Sequence, residues 1–301
     1  MHEITLGNRK LAVLRQDDPY ARHLLSCYIQ ESAKLRNFIF THFSQLENGV
    51  FADVGANIGF TSLLMSEISH GAIVHAFEPS KEVYELLLRN IDSGNCIRAF
   101  NLAVSDQIAR LGFSSNSAYG HIELGNGSRE ETIDAVDLFS HAQSEGISRF
   151  DFVKIDVEGF ELSVFRGLGG IADVVYFEYN PWCIIAHYRG NPLEVLEEIM
   201  EDWLIYRFAD DVTLELVDCP RRLAHDTIVY KALDDFVAIR KNVADRVALK
   251  VKLSEHFLVE QSPVRSDVNW SIKTLIKSKI KNKLTSLLQN SRRLPTPNAN
   301  P

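Results

Sequence analysis

Four acids each follow an apolar run: Asp53 after Val50–Ala52, Glu78 after Val74–Phe77, and Asp156 and Glu158 after Phe152–Ile155. In an open α/β sheet, that is where strands deliver side chains to a ligand crevice. Asp53 runs into Gly55-Ala56-Asn57-Ile58-Gly59, a turn whose glycines let backbone come close to a ligand and whose N–H groups open a helix. The dinucleotide fingerprint has glycine where Asn57 stands, because a pyrophosphate needs close backbone approach there. S-adenosylmethionine carries no phosphate and needs less room. On that reading Asp53 attracts its ammonium, directly or through water, while the turn's N–H groups meet its carboxylate. Glu78, 19 residues after Gly59, is placed to accept from both ribose hydroxyls. Ala103 and Val104 either flank the adenine or close an ordinary strand.

The methyl end calls for other groups. An alcohol is a weak nucleophile at neutral pH, so a base or a metal is expected beside the acceptor. Glu158 or Asp156 can take the proton or orient the hydroxyl. His121 is the other candidate base, or else a solvated loop histidine. Lys154, inside the apolar run, needs an anionic partner, and Asp156 or Glu178 can supply it. Glu178 ends a further strand and borders the acceptor pocket. Nearby Tyr179 and Trp182 either stack on a sugar ring or belong to the core. Asp156 and Glu178 could hold a divalent metal, but their spacing does not demand one and none is predicted.

The elements that must hold these residues alternate. Strands are expected at Val50–Val54, Ala72–Phe77, Ile97–Leu102, Phe152–Ile155 and Val174–Phe177. Helices are expected at Gly59–Ser69, Lys81–Ile91, up to Arg166-Gly167, and at Pro192–Met200. This cadence argues for a parallel sheet with helices on both faces. Ile4–Leu14 alternates, and Pro19–Leu46 reads as one or two helices. Residues 105–150 break the cadence with glycines, serines and asparagines: short strands or a long loop are expected, then a helix from Ile133 to His141. Trp203–Phe208 and Thr213–Val217 flank a hairpin turn, and Phe236–Ile239 is the last strand. With no long helix between them, an antiparallel finish is expected.

Asp-Val-Gly-Ala-Asn-Ile-Gly (53–59), Phe-Glu-Pro (77–79), Asn-Leu-Ala-Val-Ser-Asp (101–106) and Lys-Ile-Asp-Val-Glu-Gly-Phe-Glu (154–161) together resemble the FkbM family of S-adenosylmethionine-dependent methyltransferases. The resemblance covers roughly residues 48–242, closing on Asp-Asp-Phe-Val-Ala-Ile (234–239). It implies a Rossmann-like, seven-stranded sheet with an antiparallel last strand, and methylation of a hydroxyl on a sugar, glycan or related natural product. It carries cofactor roles onto Asp53, Gly55, Asn57, Gly59 and Glu78, with Asp156 near the methionine end. Ala56, Pro79, Ala103 and Val104 complete the candidate cofactor contacts; Glu158, Asp156 and His121 are the catalytic candidates. The division expected is a strand and helical cap (1–48), a methyltransferase domain (49–242) and a C-terminal extension (243–301).

The net charge is −8, and the seven basic residues and no acids after Val268 leave −15 on the rest. Such a body does not favour nucleic acid. Trp270, Ile272, Leu275, Ile276, Ile280, Leu284, Leu287 and Leu288 share one helical face among lysines. Residues 268–293 therefore read as a basic amphipathic helix for an anionic membrane surface, the acidic body or a second subunit. No apolar run is long enough to span a bilayer, no secretory signal is visible, and Cys27, Cys96, Cys183 and Cys219 are too scattered for a zinc or disulfide framework. A cytoplasmic protein is expected, with peripheral contact at the inner face of the membrane as an option. Two rivals stay open: a non-catalytic module that keeps the fold, and an NAD-dependent oxidoreductase.

Overall fold

The computed structural model describes residues 2–7, 9–15, 18–69, 71–91, 96–114, 120–123, 131–230 and 234–244. The expected tail helix over 268–293 lies outside them. The chain opens with an antiparallel hairpin, β1 (His2–Leu6) and β2 (Arg9–Val13), followed by α1 (Pro19–Phe43). Asp18 caps α1 by accepting from the N–H groups of Tyr20 and Ala21, and Pro19 fills the first helical position, where no donor is needed. Then come β3 (Val50–Val54), α2 (Phe60–Ile68), β4 (Ile73–Phe77), α3 (Lys81–Asn90) and β5 (Ile97–Phe100), close to the predicted bounds.

The expected third strand stops early. Ala103 and Val104 form a separate short strand, β6, which joins β7 (Ala109–Ser114), β8 (His121–Glu123) and β9 (Glu131–Val136) in a second sheet ordered β6-β9-β7-β8. The helix expected from Ile133 is therefore a strand first. Ile133 and Ala135 are buried and Thr132 and Asp134 exposed, a period of two that suits a half-buried strand. Asp137 ends it and caps α4 (Leu138–Glu145), accepting from the Ser140 N–H at 2.7 Å.

The remainder runs β10 (Phe152–Ile155), α5 (Glu161–Arg166), β11 (Val174–Tyr179), α6 (Pro181–Cys183) with a π-helical turn (Ile184–Tyr188), α7 (Pro192–Asp202), β12 (Trp203–Phe208), β13 (Leu214–Leu216), α8 (Pro220–Tyr230) and β14 (Asp234–Arg240). The main sheet has eight strands in the order β13-β12-β14-β11-β10-β3-β4-β5. The expected seven are joined by the edge strand β13, held in its hairpin by Asp210, which accepts from the Val212 and Thr213 N–H groups. β14 inserts antiparallel between β11 and β12, as expected. The reason given for it does not hold, because the eleven-residue helix α8 separates β13 from β14. A helical connection allows either direction, and here α8 packs on α7 and leads the chain past β12 to the place beside β11.

Each face of the sheet carries its own core. On one, α1 sets Phe38 against Phe152, Tyr176 and Phe208. On the other, Val153, Val175, Phe177 and Phe236 pack with Leu162, Phe165, Leu196 and Trp203. No helix among the described residues is long and apolar enough to cross a membrane.

Two glycines give a contrast in cost. Gly55 has φ +80°, and a Cβ there would stand 1.8 Å from the Asp156 carbonyl oxygen; Gly146 has φ +70° with nothing within 4 Å. Gly146→Ala should cost only the left-handed penalty of ~1–2 kcal/mol. Gly55→Ala should cost ~4 kcal/mol or more, or fail to fold. Urea unfolding of both variants measures this, and equal losses would contradict the close β3–β10 approach.

Candidate active site

The turn after β3 places three residues in left-handed backbone: Gly55, Asn57 (φ 53°) and Gly59 (φ +91°). Asparagine tolerates that region where most side chains do not, and Asn57 also accepts from the Ile58 N–H at 2.8 Å. The N–H groups of Gly55 and Ala56 both donate to the Phe77 carbonyl, at 3.0 and 2.9 Å, and Gly59 donates to Ala56 at 2.9 Å. The Asn57 N–H donates to Glu78 Oε2 at 3.0 Å. Every N–H from Gly55 to Gly59 is thus engaged within the chain. This corrects the expectation that they bind the carboxylate of a ligand, and it also leaves them unavailable to a pyrophosphate.

Asp53 is completely buried and accepts from the Thr61 and Ser62 hydroxyls at 2.7 and 2.6 Å. Its other oxygen has no hydrogen-bonding partner and lies 3.7 Å from Lys154 Nζ. It sits beneath the turn and does not line the cavity, which leaves the route through water for its expected attraction to an ammonium. Ala56 and Gly59 are likewise turned inward, Ala56 against Ala76 and Leu87, and Gly59 with Leu87 where a side chain would be. Lys154 bonds Asp156 at 3.1 Å, so its partners are Asp156 and Asp53 rather than Glu178. Burial opposes its charge, yet the two acids hold the ammonium above its ordinary range.

Glu78 accepts from the N–H groups of Asn57 and Ser80. Asn101 donates to the carbonyls of Glu78 and Pro79 and pins that corner. Burial pushes the Glu78 carboxyl up to about 7 despite the two donors. With two N–H groups bound, a carboxylate still has lone pairs for two more donors.

These residues edge a cavity of about 640 Å³, which Gly55, Asn57, Glu78, Pro79, Ala103, Val104, Asp156, Glu158, His121 and Glu178 all reach. The motifs did not point to Tyr20, His23, Ser32 and Lys34 of α1, nor to Tyr176, Asp234 and Asp235, which line it too. A period-two reading of β11 would have found Tyr176 beside Glu178; nothing local marks the α1 residues. Tyr179 is in the core, its hydroxyl on the Pro192 carbonyl, and neither it nor Trp182 lines the cavity.

Glu158 has φ 53°, an uncommon conformation for a long side chain, of the kind that collects at functional sites. Gly159 next to it has φ +101° and packs so closely on Cys183–Ile184 backbone that a Cβ would fall 2.5 Å away. The Glu158 carboxylate accepts from the Cys183 thiol at 3.1 Å, and its carbonyl lies 3.0 Å from His187 Nδ1. His187 stacks on His121, ring centroids 3.6 Å apart. Burial, then Asp156, raises the Glu158 carboxyl above its usual range. Both candidate bases, Glu158 and His121, therefore meet at one corner through His187. Among the described residues no group of three or more His, Cys, Asp or Glu side chains is arranged to hold a metal.

A model of the Methyltransferase FkbM domain matches residues 53–206, and the chain belongs to that family. It is 28% identical over 159 residues to the methyltransferase sdnD of Sordaria araneosa, a match covering 40% of this chain and 61% of that one. Among solved structures, an O-methyltransferase from Bacillus cereus in complex with SAH is 12% identical, with TM-score 0.40 and coverage of 70% of this chain and 81% of that one. M. capricolum TrmK in complex with S-adenosyl-homocysteine is 14% identical, with TM-score 0.35 and coverage of 86% and 88%.

Glu161 supplies a pH signature. Its carboxylate is buried behind Glu158, accepting from the Gly159 N–H with one oxygen and unpaired at the other. Burial pushes it up to about 8, against about 4.3 for a glutamate in an unfolded chain. The folded state holds the proton longer, so this group's stabilisation is full at low pH and is lost as pH rises towards 8. Glu161→Gln cannot lose the proton. Its stability relative to wild type should grow by up to ~1.4 kcal/mol per pH unit between pH 5 and 8. Parallel melting curves across that range would refute this.

Proposed function

We propose that this protein is an S-adenosylmethionine-dependent O-methyltransferase acting on a hydroxyl of a sugar, glycan or related natural product. The observation that carries the reading is one cavity joining Glu78 and the Gly55 turn to Asp156, Glu158 and His121. The donor set fits the cofactor. Glu78 has acceptor capacity for two ribose hydroxyls, and Pro79, Ala103 and Val104 offer apolar surface to an adenine. A turn whose N–H groups are all engaged suits a ligand without phosphates and disfavours the NAD reading.

Bound there, S-adenosylmethionine supplies a methyl group activated by a sulfonium. The chain's part is to align and deprotonate. Asp156, held by Lys154, orients the acceptor hydroxyl, and Glu158 or His121 takes its proton as the O–C bond forms and the S–C bond breaks. A carboxyl raised by burial is a better base than an exposed one. Helix α1 and the second sheet wall the cavity. The acidic lining favours a small-molecule or glycan acceptor over nucleic acid, whose phosphates it would repel.

Glu78→Gln should weaken S-adenosylmethionine binding about tenfold or more, a loss of ~1.4 kcal/mol, by calorimetry. Glu158→Gln should leave that affinity intact and lower turnover ~10²–10⁴-fold against an acceptor found by screening sugars, glycolipids and small alcohols. Unchanged affinity in the first variant sinks the cofactor assignment. Normal turnover in the second moves the base to His121.

A further inference from the structure

One end of the cavity holds two acids, Glu178 and Asp235, that no described basic side chain pairs with directly. Glu178 and Asp235 stand directly opposite each other across the antiparallel β11–β14 pair, and both line the cavity. Residues paired this way point to the same face at close range, where like charges repel. The nearby lysines are committed elsewhere: Lys154 to Asp156 and Asp53, Lys34 to Asp234. Among the described residues no basic side chain is within ion-pair distance of either carboxylate.

A third group converges from the same strand. Tyr176 lies two residues before Glu178, so its side chain is on the same face. It lines the cavity at only 3% exposure. Its hydroxyl sits beside the Asp235 carboxylate but is without a partner in hydrogen-bond geometry. A buried hydroxyl without a protein partner is costly, so it favours a polar group seated beside it in the cavity. The three side chains each offer an acceptor to the three donors of an ammonium, and one such cation between the two acids relieves their repulsion.

We propose that Tyr176, Glu178 and Asp235 form an acceptor subsite for a protonated amino group, so that the methylated hydroxyl belongs to an amino sugar or another amino alcohol. The assignment rests on the methyltransferase reading above and narrows its substrate class. The amine anchors the acceptor at β11 and β14 and leaves the hydroxyl to the neighbouring Asp156–Glu158 edge.

The full-length protein, saturated with S-adenosylhomocysteine, is titrated by calorimetry at neutral pH with matched probes: glucosamine against glucose, galactosamine against galactose, and 2-deoxystreptamine against inositol. In at least one pair the amine should bind tenfold or more tightly. Glu178→Gln and Asp235→Asn should each erase most of that preference while still binding S-adenosylhomocysteine, which reports that they are folded. No amine preference in any pair, whether both members bind or neither does, overturns the subsite, as does a preference that survives both substitutions. Failure of the wild-type protein to bind S-adenosylhomocysteine overturns the methyltransferase reading, and the subsite with it.

Discussion

The ammonium of Lys154, buried between Asp53 and Asp156, is the interaction on which the site depends. An isolated charge in a strand interior would cost several kcal/mol, and two flanking carboxylates offset that only when the geometry is good. The parallel register supplies the geometry by setting Lys154 beside Asp53 on adjacent strands. Asp53 is in turn held by two hydroxyls from the first turn of α2. One charge cluster therefore ties β3, β10 and α2 together beneath the glycine turn. The close contact of Gly55 with the Asp156 carbonyl locks the same two strands from above.

That lock decides what the turn can do. With its N–H groups spent on Phe77, Glu78, Asn57 and Ala56, the turn acts as a rigid wall rather than an anion cradle. Glu78 is the hinge of this arrangement, since it satisfies one of those donors and still faces the cavity. Specificity for a cofactor then lies in the carboxylate and the shape of the wall. The chemistry at the other end follows the same logic. Glu158 is held in strained backbone by Gly159, Cys183 and His187, so its position is set by packing before any substrate arrives.

Much of this was legible in the chain. The strand positions at 50–54, 72–77 and 152–155 and the acids that end them follow from apolar runs and their punctuation; the antiparallel finish occurs, but not for want of a helix before it. Asn57 marked the right distinction, though for an incomplete reason: lack of a glycine hinders a pyrophosphate, but the engaged N–H groups exclude one more directly. Near Ile133 the sequence resembles a helix start, because Thr132–Val136 runs into an amphipathic stretch; the cap at Asp137 is what separates strand from helix. By type Tyr179 and Trp182 suit either a sugar platform or the core; the direction of β11 buries Tyr179 in the core, and half-buried Trp182 does not line the cavity.

Local pattern determined which residues end the strands, because side-chain periodicity and turn chemistry act over a few residues at a time. It therefore determined the family-defining motifs and most of the sheet. Tertiary structure alone decided that Asp53 is buried beneath the turn, and that Lys154 serves it. It also decided that α1, more than a hundred residues from Asp156, walls the same cavity. Each of these turns on which strands lie side by side and in what register, a property of long-range pairing that no local stretch of sequence contains.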